Sequence, residues 1–218
     1  MLKLITLLIA LLSFQVHAEF SAIVIAYAAG EVPVNSSIDI DAEYVALSVS
    51  LSSDAKYPSE RAKLINQLQS AISSAAATTP NIDFQQGVIS LSPREESSFS
   101  ISKSYGRSSG SNFYLLSKLG NGKDVYMATQ EIYNFIARIK RPDDTTLSLG
   151  NTSLAIGSPQ NYRNQLLEKI KSEIHTIKQT FGPGYKASIS GLENPVIVRQ
   201  KNDKQVTVFI DYRVTFSE

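Results

Sequence analysis

Histidine is the usual partner that takes the proton from a nucleophilic serine, and this chain holds two, His17 and His175. His175 follows Ile174 and precedes Ile177 inside a helical pattern, so its spacing predicts a helix flank, not a catalytic loop. Gly106-Arg-Ser-Ser-Gly110 has the Gly-x-Ser-x-Gly spacing, but no following helix is predicted to make it a nucleophile elbow. Ser-x-x-Lys, the spacing that sets an amine beside a nucleophilic hydroxyl at a helix start, occurs at Ser53/Lys56 and Ser100/Lys103. Neither pair opens a predicted helix, and the companion Ser-Asp-Asn and Lys-Thr-Gly motifs are missing. These residues do not make a catalytic set.

Metal ligation has to rely on oxygen, because the chain has no Cys. Asp39, Asp41 and Glu43 alternate, as three oxygen ligands for a hard cation would, yet they lack the Gly and twelfth-position Glu of a calcium loop. They read as the solvated edge of a strand. Phosphate-cradling glycine motifs are absent, and Gly106 to Gly110 carries an Arg but no following helix to aim at an anion. No cofactor or metal is expected. The remaining candidates are the aromatic residues near the Ser-rich segment. Tyr105, Phe113 and Tyr114, with Arg107 and Tyr126, are the expected contacts for a partner or a ligand such as a sugar.

Positioning those residues falls to an ordinary globular chain of 218 residues, 43% hydrophobic and 19% charged. With 21 basic against 20 acidic residues, it shows no basic excess that would draw a nucleic acid. The absence of Cys also excludes a disulfide framework and a thiolate nucleophile. At the front, Met1-Leu2-Lys3 gives a positive start, Leu4 to Phe14 is almost wholly apolar, and Val16-His17-Ala18 offers a small residue before a cut. This is the pattern of a secretory signal peptide cleaved after Ala18, and the apolar run falls well short of the ~20 residues that span a bilayer. The expected product is a periplasmic protein with no membrane-spanning segment.

Along residues 19–43, Ala22 to Ala29 is a candidate strand and Gly30 to Asp41 reads as loop. Tyr44 to Ser53 alternates cleanly, with Val45, Leu47, Val49 and Leu51 on one face. Pro58-Ser59-Glu60 opens a helix whose apolar face carries Leu64, Ile65, Leu68, Ala71, Ile72 and Ala75. Strands are predicted at Ile82 to Leu91 and Asn112 to Leu119, flanking a loop or exposed arm at Ser97–Ser111. A second helix runs from Tyr126 towards Ile139 and stops at Pro142; Asp143-Asp144 reads as a turn. The third helix carries Tyr162, Leu166, Ile170, Ile174, Ile177 and Phe181 as its stripe and ends at Gly182-Pro183. Tyr185 to Ser190, Val196 to Gln200 and Gln205 to Phe216 are extended, the last two forming a hairpin. The order predicts a single α+β domain, a mainly antiparallel sheet packed against about three helices.

Between Tyr44 and Phe216 this order, with Tyr44-Val-Ala-Leu-Ser-Val-Ser-Leu51 leading into Glu60-Arg-Ala-Lys-Leu-Ile-Asn66 and closing on Val206-Thr-Val-Phe-Ile-Asp-Tyr-Arg-Val-Thr-Phe216, resembles the SIMPL-domain family. That family includes bacterial periplasmic oxidative-stress defence and envelope proteins. The Ser-rich Ser97–Ser111 segment and the scarcity of glycine in the first strand-helix unit depart from it. The resemblance implies a compact α+β domain that often forms homo-oligomers, with no enzyme activity and hence no residue roles to transfer. The expectation is a non-enzymatic protein acting by self-assembly, or by binding an envelope component, in envelope maintenance or stress defence. The alternative is a small-molecule or glycan-binding module built on the aromatic cluster.

Overall fold

The computed structural model describes residues 23–26, 36–90, 109–120, 122–182, 184 and 186–217. In chain order the elements are β1 (Ile23–Ile25), β2 (Ser37–Asp41), β3 (Tyr44–Ser53), α1 (Pro58–Thr78), β4 (Ile82–Ser90), β5 (Ser109–Lys118), α2 (Val125–Ala137), β6 (Thr145–Gly157), α3 (Arg163–Phe181), β7 (Lys186–Ser190), β8 (Val196–Gln200), β9 (Gln205–Ile210) and β10 (Arg213–Ser217). A 3-10 turn, Pro159–Tyr162, leads into α3. Every strand pairing among the described residues is antiparallel. The α+β domain is as the sequence predicts.

Three sheets are built, not one: β1-β6-β3-β5-β4, β2-β9-β8 and β10-β7. β3 is the pivot, pairing with β5 on one side and β6 on the other. Its period of two sends Leu47, Val49 and Leu51 against Leu68, Ile72 and Ala76 of α1 and Ile132 and Phe135 of α2. Val45, at the end of the same face, joins a second core with Leu166 and Ile170 of α3 and Val198, Val206 and Val208 of the three-stranded sheet. One strand therefore feeds both cores. The helices start where local chemistry allows: Pro58 sits in the first turn of α1, and Asp124 caps α2 by accepting from the Met127 amide at 2.8 Å. Gly182 ends α3 at φ 93°, a conformation that costs glycine little.

Several sequence expectations are corrected here. Residues 145–157, for which the sequence predicts no element, form β6, the longest strand among the described residues, with Gly150-Asn151 in its middle. The pair sits in a bulge, where β6 spends an extra residue opposite Ser48 between the Leu47–Thr152 and Val49–Leu149 pairs. Ser37–Asp41, within the run Gly30 to Asp41 expected as loop, is an edge strand, in keeping with the reading of Asp39 and Asp41 as a strand edge, because β9 supplies a full ladder of partners. The continuous run Gln205 to Phe216 is split: β9 stays in its sheet while β10 turns away to pair with β7. Asn194 Nδ2 donates to the Asp211 carbonyl at 2.7 Å and holds that break. Alternation continues across it, so the sequence pattern hides the change of sheet. Phe209, the one apolar residue on the expected polar face, is buried, with the Arg199 guanidinium 5.3 Å from its ring centroid. Ser109 to Ser111 belong to β5, paired on both sides within the large sheet, with Ser109 and Ser111 buried, and not to the expected loop. The rest of that segment, residues 97–108, lies outside the described residues.

Candidate functional site: a cleft at the seam of a curled sheet

The large sheet curls. Its two edges are β1 and β4, and four steps of ~4.8 Å would place them about 19 Å apart in a flat sheet. Instead the Gln85 Nε2 of β4 donates to the Ile23 carbonyl of β1 at 3.2 Å. Ile23 and Ile25 fold over Ala46, Leu116 and Ala155, and Tyr44 and Tyr114 pack beside them. Two bulges sharpen the bend, one at Gly150 and one in β4 between Gln86 and Ile89. A glycine stands in each. At Gly87 an added Cβ would lie 2.3 Å from the Asn112 carbonyl oxygen, and at Gly150 it would lie 2.2 Å from Ser48 Oγ.

The face opposite α1 and α2 thereby becomes a cleft of about 540 Å³. The residues of β1 and Ala26 form one wall; Gln85, Tyr114, Ser48, Asn151 and Ser153 form the rest. Strand register places these side chains together, since Gln85 pairs with Tyr114, Tyr114 with Ser48, and Ser153 with Ala46 two residues from Ser48. Among the described residues, charged side chains are absent from this lining. Gln85 Oε1 is buried with no hydrogen-bond partner. Its orientation is dictated by Ile23, because a carbonyl oxygen only accepts, so the amide nitrogen must face it. Among the described residues the side chains of Ser48, Tyr114, Asn151 and Ser153 likewise form no hydrogen bond. Gln85 Oε1 is buried, Ser48, Tyr114 and Ser153 are half-buried and Asn151 is exposed, and this concentration of polar groups with no partner in the fold is what marks the cleft.

Of the residues expected to make partner contacts, only Tyr114 lines it. Tyr105 and Arg107 lie outside the described residues. Phe113 and Tyr114 are neighbours in a strand and point to opposite faces. Phe113, 1% exposed, packs against Phe84 with ring centroids 4.9 Å apart in the helix-covered core. Tyr126, 84% exposed, stands on α2. The aromatic cluster is therefore not assembled among Phe113, Tyr114 and Tyr126. Ser48, Gln85, Asn151 and Ser153 escaped the sequence reading. Alternation put Ser48 on the polar face of β3, but with β6 unrecognised nothing placed Asn151 and Ser153 beside it.

The other polar clusters are structural ties. Ser36 Oγ donates to Glu173, and Tyr212 Oη lies 2.9 Å from both Ser36 Oγ and Glu173 Oε2; Ser36 is 2% exposed, closed to a substrate. Burial, aided by Glu173, raises the Tyr212 phenol above its ordinary range. Ser117 and Lys123 donate to Glu131 at 2.5 and 2.6 Å, fastening α2 to β5. Burial alone would raise the Glu131 pKa, but the bonds from Lys123 and Ser117 outweigh it and hold the carboxyl below its ordinary value. The three alternating acids are separately engaged: Asp39 by Lys201 and Thr207, Asp41 by Gln205, and Glu43 by the Gly157 amide. No group of metal ligands is present among the described residues. Ser53 is buried, its hydroxyl near the Ala55 amide, while the Lys56 ammonium lies over Tyr57, 5.3 Å from the ring centroid. Ser100 and Lys103 are outside the described residues. His175 is exposed on α3, 3.0 Å from Gln179 one turn on. No described helix is long and apolar enough to cross a membrane. No protein-family model matches this chain, and no curated protein matches it either.

Proposed function

We propose that this chain is an exported, non-enzymatic binding protein of the bacterial periplasm, whose ligand enters the seam cleft between β1 and β4. The observation that carries this reading is the set of unspent hydrogen-bonding groups on Ser48, Gln85, Tyr114, Asn151 and Ser153 around one open space. A volume of about 540 Å³ suits a small molecule, for which 300–1,000 Å³ is usual. Export rests on residues 1–18, and a role in envelope maintenance or stress defence rests on the SIMPL-domain resemblance. The test is a melting-point screen of residues 19–218 against a broad metabolite library. A ligand that binds only the native state raises the melting point. A shift from one chemical class, reduced by Asn151→Ala, is the expected result; no shift at millimolar concentration rejects the reading.

One observation favours self-assembly as a second reading. Tyr126, Met127 and Tyr133 on α2 and Leu149 on β6 are all exposed, and the groove between α2 and Thr152 has no charged lining. Tyr and Met are enriched where proteins meet, and charge is depleted there. A second copy of the chain is the proposed occupant. Light scattering on residues 19–218 decides it: a defined multimer that Tyr126→Glu dissociates supports assembly, and a monomer of about 22 kDa (~110 Da for each residue) rejects it.

A further inference from the structure

Resting on the binding reading above, we propose that the seam cleft takes an uncharged polyhydroxylated ligand, a neutral sugar or short glycan, held by the Asn151 amide, the Tyr114 hydroxyl and ring, and the Ser48 and Ser153 hydroxyls. Charge is the first argument. An ammonium or carboxylate entering this lining would lose its water and meet no counter-charge, which is costly.

Hydrogen-bonding capacity is the second. Gln85 Oε1 only accepts, the hydroxyls of Ser48, Tyr114 and Ser153 both give and accept, and the Asn151 amide does each at a different atom. A ligand whose own groups give and accept at one atom, as a hydroxyl does, matches this mixed set. The half-buried Tyr114 ring adds apolar area for the carbon face of a sugar.

The arrangement also argues against an extended peptide, which would add to the free edge of β1. The Ala26 amide bonds the Leu154 carbonyl at 2.7 Å, so Val24 shares the bonded register and only Ile23 and Ile25 turn their peptide groups outward. Gln85 already occupies the Ile23 carbonyl. The unspent side chains instead run across β4, β5, β3 and β6, perpendicular to the strands.

The experiment titrates the 19–218 chain with maltotriose, cellotriose and triacetylchitotriose. Trigalacturonate serves as the anionic control and N-acetyl-trialanine amide as the neutral peptide, with binding followed by NMR chemical shifts and calorimetry. The expected result is saturable binding of at least one neutral trisaccharide, weakened about tenfold by Asn151→Ala and by Tyr114→Phe, with melting points unchanged. If trigalacturonate or the peptide binds instead with the same sensitivity to Asn151→Ala, the sugar class is overturned and the binding reading stands. Sugar binding that neither variant affects overturns the site. If no panel member binds but the metabolite screen finds another ligand, the class alone fails; if neither finds one, both fail.

Discussion

Glu131 and Arg61 are where single side chains carry the most weight. Because Glu131 is held below its unfolded value of ~4.3, the unfolded chain binds more protons between the folded and unfolded pKa. Its contribution is complete above that unfolded value and is lost as pH falls through the folded one. Asp39, lowered by hydrogen bonds first from Lys201 and then from Thr207, acts in the same direction. The expected outcome is a melting point that falls below about pH 4, with a shallower acid limb in Glu131→Gln; an identical limb in variant and parent would refute the assignment. Arg61 is 1% exposed and its Nη1 donates to the Ala55 and Lys56 carbonyls at 2.9 and 3.1 Å, closing the β3–α1 connection. Replacing it by Leu keeps apolar volume but strips those carbonyls, and chemical denaturation should register a loss of about 2–4 kcal/mol.

At the scale of elements, the curl of the large sheet depends on two glycines that fail differently. A Cβ at Gly87 strikes backbone, the Asn112 carbonyl, which has no low-energy escape. Gly87→Ala should therefore cost about 1–3 kcal/mol, as overpacking does. At Gly150 the obstacle is the Ser48 hydroxyl, which can rotate aside. Gly150→Ala is expected to leave the denaturation midpoint nearer the parent's while weakening ligand binding, because the displaced hydroxyl is one of the cleft's own groups. Equal stability losses in the two variants would contradict this division. β5 shows the same dependence on partners. Deleting Gly106–Gly110 would remove Ser109 and Gly110, which pair with Ser53 and Ser52, so the deletion is expected to lower stability as well as alter the segment.

For the whole molecule, β3 links the two main cores: Val45 belongs to one, Leu47, Val49 and Leu51 to the other. Neither core can open without disturbing a strand that the other buries. Denaturation followed by far-ultraviolet circular dichroism and by tyrosine fluorescence should give coincident curves, and separated midpoints would show two independent units. Sequence by itself determined what depends on near neighbours along the chain. The alternation of β3, the proline start of α1, the Gly182 end of α3 and the bounds of β8 all come from local conformational preference and from period. Tertiary structure alone decided which strands share a sheet and where the chain changes sheet. Gly150-Asn151 is a turn signal taken by itself and a bulge once β3 lies alongside; Asp211-Tyr212 continues a strand until the turn at residues 191–194 packs against it. The cleft belongs to that second kind. Ser48, Gln85, Tyr114, Asn151 and Ser153 stand on four strands scattered through the sequence, and only pairing and curl, which no local pattern encodes, bring them around one space.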